Sequence, residues 1–238
     1  MVNEKIYIEY DIAAVDVGNS YVSTAYFRLG QLVLIKKVRT SFVRSKISIN
    51  KSKTIIVSSV VPRITDIINR LYPKARIVNL SRIPIKELPS HLGTDRAINM
   101  YSAMSLYKIT DVMLIDFGTA LTFSCCINKK FIGGLIMPGL RLMQEALGKT
   151  AKLPVVRDVK RSGVLQMSTE DAIKSGIYTA LCSTVSSTIS QIQKEIGKDL
   201  LVVATGGDSL VLGENIEGIK IINPTLIHEG LALLANSQ

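Results

Sequence analysis

The segment AVDVGNSYVSTAYF at residues 14–27 returns one hundred positions later as LIDFGTALTFSCCI at residues 114–127. In each copy an apolar run ends on an aspartate, Asp16 or Asp116. A glycine follows two residues on, Gly18 or Gly118, then a polar side chain and a second strand-like stretch. A unit used twice restricts the chain to a duplicated architecture. We expect two related α/β halves, 1–109 and 110–238, each a mixed sheet, facing each other across a cleft.

The remaining pattern has the same order in both halves. Apolar runs predict strands over 11–17, 21–28, 31–39 and 54–61, with a turn around Gly30-Gln31. Pro62 opens a helix to about Leu71, as a proline in a first turn allows. A short strand at ARIVNL and a helix over 94–107 follow. The second half gives strands over 111–117, 120–127 and 130–137, a helix over 139–148 and a long helix over 169–196. Strand 200–205, helix 207–213, strand 219–222 and helix 224–235 complete it. In the long helix, Ser168 and Asp171 suit a capping box in its general form, and Glu170 and Asp171 suit the positive end of the dipole. Its Ile173, Ile177, Leu181, Val185, Ile189, Ile192 and Ile196 form one apolar stripe.

Composition sets the outer limits. The 238 residues are 47% hydrophobic and 5% aromatic, with no Trp, so Ile, Val, Leu and Ala must build the core. Cys125, Cys126 and Cys182 have neither disulfide-framework nor metal-ligand spacing, which fits a reducing cytoplasm. The first residues carry Glu4, Glu9 and Asp11 and lack the apolar stretch of a signal peptide. No apolar run approaches the length that spans a membrane. The formal charge is +10, and residues 36–53 hold seven Lys/Arg and no acid. Such a run can attract anions, but it also solvates an edge strand and blocks edge pairing. Phe42 is its one aromatic, without the interleaving of a single-strand binder, so nucleic acid is not expected as a partner.

The repeated Asp-x-Gly-polar turn has a chemical use. Glycine lets backbone approach a phosphate, and successive amides in a tight turn make an anion-binding nest. Asn19, Ser20 and Thr119 can add side-chain hydrogen bonds. An aspartate repels phosphate but can hold a cation that contacts it. Two such hairpins could clamp a triphosphate. A single Asp-Gly turn is an ordinary structural device, and two unrelated turns remain the alternative on the repeat alone. There is no Walker-type G-x-x-x-x-G-K-[ST] and no G-x-G-x-x-G.

Six blocks in order carry a resemblance: DVGNSYVS (16–23), LGTDRAIN (92–99), DFGTALTF (116–123), FIGGLIMPGLRLMQEALGKTAKLP (131–154), STEDAIKSGIY (168–178) and VVATGGDS (202–209). From residue 11 onward the chain resembles type III pantothenate kinases of the actin, Hsc70 and sugar-kinase superfamily. The resemblance implies a duplicated ribonuclease-H-like (actin-like ATPase) fold. It implies phosphorylation of pantothenate to 4'-phosphopantothenate by ATP with Mg²⁺, the first step of coenzyme A biosynthesis. By that resemblance Asp16, Val17, Gly18, Asn19, Ser20, Tyr21, Val22 and Ser23 form the first ATP-phosphate hairpin, and Thr119 contacts ATP in the second. Asp116 binds a monovalent cation, K⁺ or NH₄⁺. Gly93, Thr94, Asp95, Arg96 and Thr169 meet pantothenate, with Asp95 as proton acceptor. Gly206 and Gly207 lie near the nucleoside. A cytoplasmic homodimer is implied, with its substrate site near the interface. The chain departs from the family pattern at Ser20, a threonine position, at Lys86, an aromatic one, and at Ser124, where an acid is common. It also begins about ten residues ahead of the first strand, and these could add a strand segment.

From the residues alone, Asp95 also suits helix capping or a salt bridge to Arg96. His91 reads as a loop residue, His228 as structural, and Cys125 and Cys126 as small core residues. Other readings are a catalytically silent accessory or regulatory protein on this scaffold, and another small-molecule kinase of the superfamily.

Overall fold

A computed structural model describes residues 9–150 and 152–237. The question of a strand segment ahead of the first strand falls mostly on residues 1–8, outside the described residues. The chain divides into two compact units, 1–106 with 226–238, and 107–225.

The first unit opens with β1 (Tyr10–Val17), β2 (Tyr21–Arg28) and β3 (Gln31–Arg39), an antiparallel meander. β4 (Ser52–Ser59) then runs parallel to β1, and the short β5 (Arg76–Ile77) parallel to β4, giving the order β3-β2-β1-β4-β5. α1 (Pro62–Leu71) starts on its proline, where a missing N–H costs nothing. Its Ile64, Ile67 and Ile68 join Val15, Val17, Tyr26 and Val57 in one core. α2 (Thr94–Leu106) and the last helix of the chain, named below, also belong to this unit.

The second unit repeats the plan. β6 (Val112–Phe117), β7 (Ala120–Ile127) and β8 (Lys130–Pro138) form the meander, and β9 (Leu201–Thr205) and β10 (Ile221–Ile222) lie parallel beyond β6. The order β10-β9-β6-β7-β8 is that of the first sheet. α3 (Leu140–Thr150), α4 (Thr169–Ile196) and the single-turn α5 (Ser209–Leu212) accompany it. Ser168 caps α4 by accepting the Asp171 N–H at 3.1 Å, and Gly197 closes it in the left-handed region. The expected stripe is the buried face: Ile173, Ile177, Leu181, Val185 and Ile189 pack with Ile115, Phe117, Phe123 and Val202.

α6 (Leu226–Asn236) follows β10. The expected boundary at 109/110 falls at 106/107, and α6 groups with the first unit rather than the second. Its packing is the reason: it lies on β1, β4 and α2, and the Ser102 hydroxyl donates to the Leu226 carbonyl at 2.8 Å.

The duplication extends below the level of elements. Residues 11–20 and 111–120 share their burial class at nine of ten positions. The β2–β3 turn holds Leu29 and Gly30 at φ 50° and 75°, and the β7–β8 turn holds Asn128 and Lys129 at φ 51° and 57°, the left-handed pair that suits a two-residue hairpin loop. In each, the first turn residue donates its N–H to an aspartate opening the first strand: Leu29 to Asp11 at 2.7 Å and Asn128 to Asp111 at 2.6 Å. Lys53 and Lys198 pair with those carboxylates. Within the basic segment, Lys36 donates to Asn50, Lys51 meets Glu9 and Lys53 meets Asp11. These pairings are structural uses of the run.

Candidate active site

β1 ends at Val17, and the chain turns through Gly18, Asn19 and Ser20 into β2. The Gly18 N–H closes the turn on the Tyr21 carbonyl at 2.9 Å. Asn19 is exposed, and Gly18 and Ser20 are half-buried. The register sets Asp16 between Ser23 on β2 and Ser58 on β4. Side chains alternate across a strand, so these three share a face. Val17 and Val22 point into the core and Tyr21 is exposed, with the Lys37 ammonium 4.5 Å from its ring. Val17 and Val22 therefore belong to the hairpin as packing residues, and any contact they make with a phosphate is through backbone.

The second hairpin is built the same way, with Asp116 between Thr122 on β7 and Thr205 on β9. Gly206, at φ +93°, follows β9 directly. A Cβ there would collide with Asp116 Oδ1 and with the Phe117 peptide. Glycine thus serves twice at this position, for the left-handed turn and for the close approach. The Asp208 N–H holds the Phe117 carbonyl at 3.1 Å, and the Gly139 N–H holds the Thr119 carbonyl at 3.2 Å. Asp116, Gly118, Thr119, Gly139, Gly206 and Asp208 are therefore one contacting group within the second unit.

The Asp116 carboxylate and the Phe117 carbonyl lie together against Gly206, and Thr122 and Thr205 flank Asp116 in the sheet. Among the described residues no group of three or more His, Cys, Asp or Glu is placed to hold a metal ion.

Asp95 stands in the first turn of α2. Its Oδ1 accepts the Arg96 N–H at 2.8 Å, and its carboxylate rests against Gly93, where a Cβ would strike it. Burial pushes the Asp95 carboxyl above its usual range, against the opposing pull of the Arg96 N–H and guanidinium. A carboxylate spending its hydrogen bond on its neighbour's amide is partly a local cap. The other oxygen leaves it capacity to accept a proton. Thr94 and Arg96 are half-buried beside it. Thr169 is exposed as the first residue of α4, in the second unit. Lys86 is exposed. Sequence reasoning missed Gly139 and Asp208, although both lie in quoted blocks. A backbone N–H that aims a turn leaves no mark in side-chain chemistry.

A doubled five-stranded mixed sheet with an Asp-x-Gly hairpin in each copy defines the class: a fold of the actin and sugar-kinase type. Solved structures agree. One from Campylobacter jejuni, described as a Baf family transcriptional activator, matches at TM-score 0.64 and 18% identity, over 93% of this chain and 96% of that one. Another from Listeria monocytogenes, assigned as an N-acetylmannosamine kinase, matches at TM-score 0.52 and 10% identity, over 94% and 98%. These likenesses establish the fold. The family follows from sequence: the family model described as type III pantothenate kinase matches residues 12–191. A type III pantothenate kinase of Desulforapulum autotrophicum is 32% identical over 94% of this chain and 96% of its own length. The chain belongs to the type III pantothenate kinase family.

Proposed function

We propose that this chain transfers the γ-phosphoryl group of ATP to the primary hydroxyl of pantothenate, the first step of coenzyme A biosynthesis. The hydroxyl oxygen bonds to the γ-phosphorus, the bond to the ADP oxygen breaks, and the hydroxyl proton passes to the Asp95 carboxylate. Such transfers depend on positioning and charge neutralisation more than on covalent chemistry. Family membership sets the reaction. The observation that carries the site is the pair of matched hairpins, each with an aspartate as the last residue but one of β1 or β6.

The tasks of the assigned residues follow the family resemblance. The hairpin from Asp16 through Ser23 receives one part of the triphosphate, through its backbone amides and the Asn19 and Ser20 side chains, and Thr119 with its turn receives another. Mg²⁺ and a monovalent cation, K⁺ or NH₄⁺, offset phosphate charge when bound, and the Asp116 oxygens with nearby carbonyls are the donors that suit the monovalent ion. Gly93, Thr94, Arg96 and Thr169 receive pantothenate, with the Arg96 guanidinium suited to its carboxylate. A desolvated Asp95 is more basic than an ordinary aspartate, which suits a proton acceptor. Cytoplasmic location is supported by three cysteines that form no disulfide. A homodimer is supported by exposed apolar side chains of the second unit, among them Ile136, Leu165 and Met167. Sedimentation should then report twice the 26.0 kDa chain mass.

The test is coupled ADP release with pantothenate against a panel of sugars and polyols, with and without K⁺. Turnover with pantothenate that needs the cation is expected. Turnover with a sugar alone would assign another kinase of the superfamily, and ATP binding without turnover on any acceptor would assign a silent binding protein.

A further inference from the structure

The residue just past the third strand of each meander does the same work in both units. In the first unit this is Thr40, buried at the end of β3. Its hydroxyl donates to the Gly18 carbonyl at 2.7 Å, and its N–H donates to the Ser20 carbonyl at 3.0 Å. In the second unit it is Gly139, just past β8. Its N–H donates to the Thr119 carbonyl at 3.2 Å, and its bare Cα faces the Gly118 carbonyl, which an added Cβ would strike. A peptide unit is planar and trans, so its C=O and the next N–H point in opposite directions. Drawing back the Gly18 and Ser20 carbonyls turns the Asn19 and Tyr21 amides the other way. Drawing back the Thr119 carbonyl does this for the Ala120 amide, while the Gly118 carbonyl lies against the bare Gly139 Cα. Each turn therefore has its carbonyls held against a fixed strand end and its amides directed away, which is the arrangement an anion nest requires.

We infer that Thr40 and Gly139 are positioning residues, one for each phosphate hairpin, that set the hairpin amides toward the nucleotide's phosphates. The inference rests on the phosphate-binding reading of the hairpins. The two residues differ because the two devices differ. Thr40 uses a side chain to reach a carbonyl one strand away, so it must carry a hydroxyl. Gly139 uses only backbone and must carry nothing.

Steady-state kinetics on four variants test this, with Gly176→Ala, in open space on α4, as the unaffected control. Thr40→Val keeps the shape and removes the donor. It should raise the KM for ATP about three- to tenfold, the worth of one hydrogen bond, and change the KM for pantothenate less than twofold. Thr40→Ser should restore most of the loss. Gly139→Ala should move the ATP KM in the same direction by more. Thr119→Ala tests the hairpin reading itself: an unchanged ATP KM there removes that reading and the inference with it. A raised ATP KM in Thr119→Ala with wild-type values in Thr40→Val and Gly139→Ala overturns the inference alone. So does a parallel rise in both KM values with a lowered melting temperature, the mark of a general packing defect. Should Gly139→Ala fail to fold, hydrogen exchange on the unaltered protein decides its half. A non-hydrolysable ATP analogue should slow exchange over residues 136–142, and pantothenate should not. Equal exchange with and without the analogue overturns it.

Discussion

Asp11 and Asp111 stand at the start of β1 and just before β6, and Asp16 and Asp116 one residue before their ends, one hundred positions apart in both pairs. Place along the strand decides the use. At the opening, each carboxylate accepts a turn N–H and a lysine, and those partners hold the Asp111 carboxyl below its usual range, Lys198 first and the Asn128 N–H second. At the close, the chain turns through glycine, with Asp16 between Ser23 and Ser58 and Asp116 between Thr122 and Thr205. Asp95 belongs to neither pair and is shifted the other way, by burial. Asp95→Asn should lower kcat by about 10²–10⁴ while ATP binding stays intact. The acid limb of the wild-type pH profile should lie above the ordinary aspartate value of 3.8. Unchanged turnover in the variant removes the proton-acceptor role. His228 offers a separate residue-scale test. It is buried on α6 with neither ring nitrogen hydrogen-bonded, although the Ser23 backbone lies near enough to favour the charged form slightly. Burial brings its pKa down from 6.5 to about 4. The unfolded chain therefore takes up the proton at higher pH than the folded one. Stability from this group is full above pH 6.5 and falls as the pH drops toward 4, by about 3 kcal/mol over that window. His228→Leu should flatten the slope without loss at pH 7, since replacing an unpartnered polar group with an apolar one is near neutral or stabilising. Melting temperatures from pH 7 to 4.5 measure it, and an equal slope in both proteins excludes His228 as its source.

The elements follow their local sequence closely, and the reason differs from one to the next. α1 begins on Pro62 and α4 on Ser168 because those residues suit a first turn and a cap whatever lies around them. The α4 stripe is legible because its period is that of a helix and its length leaves no strand alternative. The hairpin turns were legible as turns but not in their strain. Leu29 has a side chain that disfavours positive φ, and it sits at φ 50° with 88% of its surface exposed. Asn favours that conformation, so Leu29→Asn should stabilise the fold by about 0.5–1 kcal/mol. Its N–H, and hence the bond to Asp11, is retained. A lowered melting temperature would show that Leu29 is held there by packing instead. In the candidate site, Asp16, Asp116 and Thr119 stood out in the repeat because carboxylates and hydroxyls advertise their chemistry, whereas Asp95 was singled out only through the family resemblance. Thr40, Gly139 and Asp208 act through a hydrogen bond to a carbonyl or through a missing side chain, and depend on the strand order that brings them to the turn.

At the scale of the whole chain, α6 departs from the sequence expectation. Its apolar residues lie nearly all around the helix: Leu226, Ile227, Leu231, Ala232 and Leu234 are buried. Such a helix has no polar face to say which sheet it covers, so adjacency in sequence suggested the second unit. The structure uses it in the first, against strands more than two hundred residues earlier for β1. Contacts that distant cannot form until the chain is complete, and they are slow to form. They are also large. Each fully buried leucine contributes about 1.5–3 kcal/mol, and several together match the typical net stability of a domain, about 5–15 kcal/mol. A chain ending at Thr225 should therefore keep the second unit folded and lose the first. Hydrogen exchange should show residues 112–127 protected as in the full chain and residues 10–28 exchanging freely. Full protection of 10–28 in the shortened chain would mean that the first sheet holds without its helix, and that α6 is an addition to a unit already stable by itself.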